Sequence, residues 1–199
     1  MDLVIASSNS SKVRELRSIL EELFPNLRIR SLIEFPDFCP LSKTKESFEE
    51  NAIEKALHAA QQLNRPCITD ESGLVIPYLG NEKISLERKK NIAEGKKLPD
   101  TKTLLNDLQG VDEGNREAFL ECVLAFAMPG SLIRTSSARI EGYIAQEEMG
   151  PATFDFSSIF IKHEYSKTLA KLPESVQLRI SHRRKACEKL QSAIREQLG

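Results

Sequence analysis

Between Ala52 and Leu63 the apolar residues return every three or four positions: Ala52, Ile53, Ala56, Leu57, Ala60 and Leu63. That is the period of one helix face. Ser47 ahead of it is an N-cap residue type, and Glu50 three positions on completes a capping box. Asn64 and Pro66 close the helix. Cys67, Ile68 and Thr69 are short, mostly apolar and β-prone, which predicts a buried strand. Asp70 and Glu71 follow, then Ser72 and Gly73. The pattern therefore predicts helix, short strand, then an acidic pair on a tight turn.

The same reading covers the rest of the chain. Leu3 to Ala6 is a short apolar strand. After a small polar loop, Val13, Leu16, Ile19, Leu20 and Leu23 mark an amphipathic helix. Leu27 to Ile33 alternates as a second strand, and Glu34 to Lys45 is a loop with Pro36 and Pro40. Leu74 to Leu79 reads as a strand broken by Pro77, hence an edge or a strand end. Asn81 to Pro99 is crowded with Lys, Arg and Glu and reads as a solvated excursion with some helix. Lys102 to Leu108 is a short helix. Glu117 to Ala127 and Leu132 to Ile144 form a long hairpin about Pro129-Gly130, with a bulge near Ser136-Ser137. The end of its first strand is apolar on both faces and should be central. Asp155 to Ile161 is a further strand, and Pro173 to Arg179 a helical turn. Ser181 caps a last helix carrying Ala186, Leu190, Ala193, Ile194 and Leu198 on one face.

Composition narrows the class. A chain of 199 residues is one domain, or one with two lobes. Its formal net charge of −1 supplies no field that would draw it to nucleic acid or membrane. The longest apolar run, Val123 to Met128, is too short to span a bilayer, and the start does not read as a signal peptide. The four cysteines and three histidines are scattered, which argues against zinc and for reduced thiols in a cytoplasmic protein.

Three stretches carry candidate chemistry. Asp70 and Glu71 offer hard oxygen ligands to a cation or to an activated water; the plain alternative is a solvated acidic turn. Ser7, Ser8, Asn9, Ser10 and Ser11 precede a helix, with Lys12 in its first turn. Helix N-termini attract anions, and a lysine there opposes the helix dipole unless an anion offsets it. The loop lacks the glycines of a Walker A sequence, and it could simply be a capping turn. His182, Arg183, Arg184 and Lys185 break the same rule at the start of the last helix; they could also be a solvated basic turn.

Five marks in order, IASSNSSKVRE, SFEENAIEKA, TDESGL, a Phe-rich strand after Gly150, and SHRRKA, together resemble the inosine triphosphate pyrophosphatase family. The resemblance runs from Leu3 to the last helix. It implies an α/β fold with a mixed, strongly twisted sheet, flanking helices and two lobes around a deep cleft, all within residues 1–199. It also implies a homodimer and Mg²⁺-dependent hydrolysis of non-standard purine nucleotides (ITP, dITP, XTP) to monophosphate and pyrophosphate. On the matching positions, Ser7, Asn9 and Lys12, with Ser8, Ser10 and Ser11 between them, would hold the triphosphate. Glu71 would be base and metal ligand, with Asp70 as second acid and Ser72 beside them. His182 and Arg183 would contact nucleotide, and Phe154 would line the base pocket.

Some positions depart from the family pattern. Lys43-Thr44-Lys45 stands where Glu-Thr-Gly is expected, so that metal ligand is lost or passes to Glu46. Ser157 replaces an aspartate that meets the nucleoside, and Gln177 replaces a lysine. Two readings follow: a pyrophosphatase, or a catalytically silent nucleotide-binding relative. A third, RNA binding through the basic start of the last helix, is opposed by the balanced charge and the few aromatics.

Overall fold

The structure is a computed structural model and describes residues 1–41, 47–80, 101–151 and 156–199. In chain order it contains β1 (Asp2–Ile5), α1 (Ser10–Leu23), β2 (Arg28–Ser31), α2 (Phe48–Leu63), β3 (Cys67–Val75), α3 (Thr101–Asp107), β4 (Glu117–Met128), β5 (Ser131–Ile144), β6 (Phe160–Lys162), α4 (Glu174–Ile180) and α5 (His182–Leu198). The strands form one mixed sheet in the order β2-β1-β3-β4-β5-β6. β1 pairs in parallel with β2 and with β3, and β5 pairs antiparallel with β6. The expected mixed sheet with flanking helices is present.

The order explains which face each helix covers. From β1 the chain crosses over α1 to β2 on one side; from β2 it crosses over α2 to β3 on the other. Parallel crossovers are right-handed in nearly every case. Two of them running in opposite directions put α1 and α2 on opposite faces. Buried on both sides, β3 can be apolar without alternation, and all nine of its residues are buried.

The chain divides into two compact units. The first comprises residues 1–71, 122–138 and 181–199. Its core holds Leu3, Val4, Ile5, Leu16, Leu20, Ala56, Ile68, Phe126, Leu190 and Ile194, all fully buried. Within it, α5 packs on α1. The Ser47 hydroxyl caps α2, accepting from the Glu50 N–H at 3.1 Å and donating to the Glu50 carboxylate at 2.7 Å. α2 ends at Asn64 in the left-handed conformation.

The second unit comprises residues 72–121 and 139–180. Its core includes Leu74, Ile76, Leu104, Leu120, Ile140, Phe156 and Phe160. Arg116 is buried among them. Its guanidinium donates to the carbonyls of Leu108 (2.7 Å), Ile144 (2.8 Å) and Ala145 (2.6 Å). One side chain thus ties the end of α3 to the end of β5. Gly142 of β5 lies so close to β6 that a Cβ there would overlap the Ile161 carbonyl.

Four sequence expectations are corrected. Residues 70–73 are not a turn: they lie inside β3, which runs on to Val75. Leu74 to Leu79 is therefore not a separate strand, and Pro77–Leu79 is a 3-10 turn, the proline taking the first turn of the short helix. β2 is shorter than 27–33, because Leu32–Glu34 turns into 3-10 helix. The strand expected at 155–161 begins only at Phe160; Phe156 has a φ of 64°, which extended backbone does not allow. Asn81 to Pro99, Glu46 and Phe154 lie outside the described residues.

Removing the Arg116 head group strands three buried carbonyls, each costing about 1–3 kcal/mol unpaired. Arg116→Met is expected to destabilise the protein by at least about 3 kcal/mol in urea denaturation, on that same per-group cost.

Candidate active site

β1 stops at Ile5 while β3 continues. Ile5 pairs with Ile68, and the Ala6 N–H donates to the Ile68 carbonyl at 2.8 Å. Continuing that register puts Asp70 just past the end of β1, level with the loop that opens α1. Here the sheet order reverses about β1, and open α/β sheets bind ligands at the carboxyl ends of strands at such a switch point.

On one face Asp70 is fully enclosed. Its Oδ2 lies 3.2 Å from Lys12 Nζ and accepts from Arg183 Nε at 3.0 Å. Burial alone would push its carboxyl up, but Arg183 and Lys12 outweigh burial and hold it well below the usual carboxylate range. Arg183 Nη1 donates to Glu15 Oε2 at 2.8 Å, and the Ser181 hydroxyl donates to Glu15 Oε1. Burial disfavours the Arg183 charge, yet Asp70 and Glu15 raise its pKa further than burial lowers it.

On the other face Glu71 pairs with Lys55 of α2. Thr69, two residues earlier, donates to the Ala52 carbonyl of the same helix at 2.8 Å. The alternation is that of a strand, whose successive side chains point to opposite faces. The two acids therefore do not converge on one cation, as a turn would have allowed; each meets the cations of its own side.

Residues 3–193 match the sequence profile of the Ham1 family. The chain belongs to the Ham1 family. It is 38% identical over 199 residues to the dITP/XTP pyrophosphatase of Protochlamydia amoebophila, covering 100% of this chain and 99% of that protein. It is 37% identical over 195 residues to the dITP/XTP pyrophosphatase of Chlamydia trachomatis serovar L2, covering 98% and 93%. The solved structure of the Staphylococcus aureus Ham1 protein superposes with a TM-score of 0.78 at 30% identity, covering 99% of this chain and all of that one.

In this Ham1 protein the first unit gathers Lys12, Asp70, Glu71 and Arg183, all singled out from sequence. Ser7 and Ser11 are half-buried, while Ser8, Asn9 and Ser10 are exposed. Asn9 caps α1 by accepting from the Lys12 N–H at 3.1 Å, and the Asn9 N–H donates to Ser7 Oγ at 3.3 Å. Ser72 is buried in the part of β3 that belongs to the second unit. His182 is buried next to Arg183; burial first, and the neighbouring guanidinium second, lower its pKa well below the ordinary value. Glu15 and Lys55 were not anticipated. The available signal was spacing: Glu15 lies three residues after Lys12, on the same helix face.

A fit for a metal ion rests on oxygen donors. Among the described residues no group of three or more His, Cys, Asp or Glu side chains is arranged to hold one. Mg²⁺ asks for less, one or two carboxylates plus substrate phosphates, and Glu71 meets that requirement. Asp70 is committed to two cations on the other face.

The buried groups set an acid profile. His182 has a lowered folded-state pKa, so its contribution is present above its unfolded value of about 6.5 and is lost as pH falls below it. Asp70 also has a lowered folded-state pKa; its contribution is present above about 3.9 and is lost only at lower pH. Urea denaturation should show His182→Gln flattening the stability loss between pH 7 and 5. Asp70→Asn should cost about 3–5 kcal/mol at pH 7, as a broken buried pair does, with the deficit shrinking only below about pH 4.

Proposed function

We propose that the chain is a Mg²⁺-dependent pyrophosphohydrolase of purine nucleoside triphosphates, acting on ITP, dITP and XTP. The observation that carries this is the position of Glu71, paired with Lys55 of α2, where β3 runs past the end of β1 at the sheet's switch point, level with the loop that opens α1. The activity printed for the Protochlamydia and Chlamydia relatives supports the substrate class.

A triphosphate brings about four negative charges, and catalysis of its transfer is mainly positioning and charge neutralisation. The helix-start N–H groups of Ser10 and Ser11 and the Lys12 ammonium supply positive ends for phosphate oxygens. Lys55 fixes the Glu71 side chain and adds a second ammonium. Water attacks the α-phosphorus and pyrophosphate leaves; Glu71 accepts the proton of that water. A bound Mg²⁺, held by Glu71 with Glu46 as the second candidate, would neutralise phosphate charge and activate water. Asp70 does not touch substrate in this reading: it holds Lys12 and Arg183 in place. The homodimer belongs to the same reading and is supported by the family resemblance.

Two observations favour a silent nucleotide-binding relative instead. Gln177, where the family has a lysine, spends its amide on the Leu172 carbonyl at 2.8 Å, and Ser157 is buried where an aspartate is expected. Turnover separates the two. The pyrophosphohydrolase releases pyrophosphate from dITP and XTP with Mg²⁺ and prefers them to ATP and GTP; a silent relative binds nucleotide and releases none.

Two variants test the assigned roles. Glu71→Gln removes the base while keeping its size, and kcat is expected to fall about 10²–10⁴-fold with nucleotide binding retained. Lys12→Ala is expected to weaken nucleotide binding by about 1.5–3 kcal/mol in titration calorimetry, the range for a hydrogen bond to a charged group. Unchanged affinity with an intact fold removes Lys12 from the site.

A further inference from the structure

β2 stands at one end of the sheet, and β1 is its only neighbour among the described strands. An edge of this kind presents N–H and C=O groups on which a strand of another chain can add. One bond shows which residues present them. The Arg28 N–H donates to the Met1 carbonyl at 3.0 Å, so the backbone groups of Arg28 face β1. Alternate residues of a paired strand turn theirs to opposite sides. Those of Arg30 therefore face β1 as well, and those of Ile29 and Ser31 face outward.

Two of these outward groups are taken by side chains. Arg17 Nη1, reaching over from α1, donates to the Ile29 carbonyl at 2.5 Å. Glu34 Oε1 accepts from the Ser31 N–H at 3.0 Å. Glu34 is itself held by Arg30, whose Nε donates to Oε2 at 2.9 Å, and Arg30 pairs with Asp2 at 3.2 Å. Glu34 also cuts the strand short. Alternation from Leu27 to Ile33 predicts a longer strand, yet β2 ends at Ser31, where Glu34 closes a capping box on the 3-10 turn Leu32–Glu34. Ile33 in that turn is 88% exposed. Extended, the edge would run on past Ser31 with a bare apolar side chain. Short edge strands and charged edge residues are the means by which sheets avoid that hazard.

We propose that Arg17 and Glu34 are edge guards: they close β2 to strand addition, and what they keep off is a second copy of this chain pairing through the same edge. Antiparallel pairing about a two-fold axis sets Ile29 opposite Ser31 of the second copy. In that register the Ile29 carbonyl accepts from the Ser31 N–H of the second copy, and symmetry makes the bond twice. These are the two groups that Arg17 and Glu34 occupy. Arg30 would face Arg30 of the second copy, each already paired with its own Asp2. Contacts that only tied α1 and the 3-10 turn to β2 would change stability and leave association as it is. The proposal stands apart from the nucleotide site and its chemistry.

The test is sedimentation velocity of the full-length protein over a range of concentrations at about 0.15 M salt, where exposed charges are largely screened. Urea denaturation shows that each variant is folded. Arg17→Met combined with Glu34→Ala is expected to associate beyond the wild type's own state, at a concentration lower by at least about tenfold, the worth of about one net hydrogen bond. Each single variant should give a smaller gain. Glu34→Gln, whose amide oxygen still accepts from the Ser31 N–H, should behave as wild type. Arg195→Met, which removes an exposed arginine of α5, controls for the change in charge. Hydrogen exchange locates the contact: the Ile29 and Ser31 amides become protected as the double variant associates. Association no greater than the wild type's, with the fold intact, overturns the proposal. So does association that leaves those two amides exchanging freely, or an equal gain in Arg195→Met. If the double variant does not fold, Arg17→Met and Glu34→Ala singly carry the same comparison.

Discussion

Two carboxylates stand next to each other in the middle of a strand that is buried on both faces, and each has to be met by positive charge on its own side. An ionised carboxylate taken out of water costs several kcal/mol unless paired. Strand geometry sends Asp70 and Glu71 in opposite directions, so no single cation serves both. The right-handed crossovers around β1 put α1 on one face and α2 on the other. Lys12 with Arg183 answers on the first, Lys55 on the second. The strand order, the helix faces and the positions of these cations are therefore one problem with one solution.

The early end of β1 makes this charge pattern useful. Because β3 runs past it, the acids are level with the helix start that follows β1 instead of being hidden behind another strand. The N-terminal end of α1 carries positive partial charge, and Lys12 reinforces it. On the Asp70 side the protein's own acids balance the cations, which makes that face an organiser. On the Glu71 side a carboxylate and an ammonium lie together, a pairing suited to water and phosphate. In the proposed function, this chain of the Ham1 family divides support and chemistry between the two faces of one strand.

Much of the fold was legible in the sequence. α1, α2 and α5 have long apolar periods with Asn9, Ser47 and Ser181 at their starts, and the β4–β5 hairpin has alternation and a Pro-Gly turn. β3 was misread, because Asp-Glu-Ser-Gly has the composition of a turn. It is extended because it is an interior strand between β1 and β4, with Asp70 met by Arg183, 113 residues further along; no local rule can see such partners. Lys12 and Arg183 stood out because charges occupied places where local rules disfavour them, and Asp70 and Glu71 as adjacent acids at the end of an apolar strand. Glu15 and Lys55 did not, since an acid or a lysine on a helix reads as solvated surface. The basic start of α5 was read as needing an anion to offset it; within the described residues Glu15, Asp70 and Glu22 provide one.

The central claim is that Glu71 directs water to the α-phosphorus of a purine triphosphate. Hydrolysis of dITP in oxygen-18-labelled water, followed by mass spectrometry of both products, tests this most directly. The account predicts label in the nucleoside monophosphate and none in the pyrophosphate. Label in the pyrophosphate, or release of labelled orthophosphate as the first product, would contradict it.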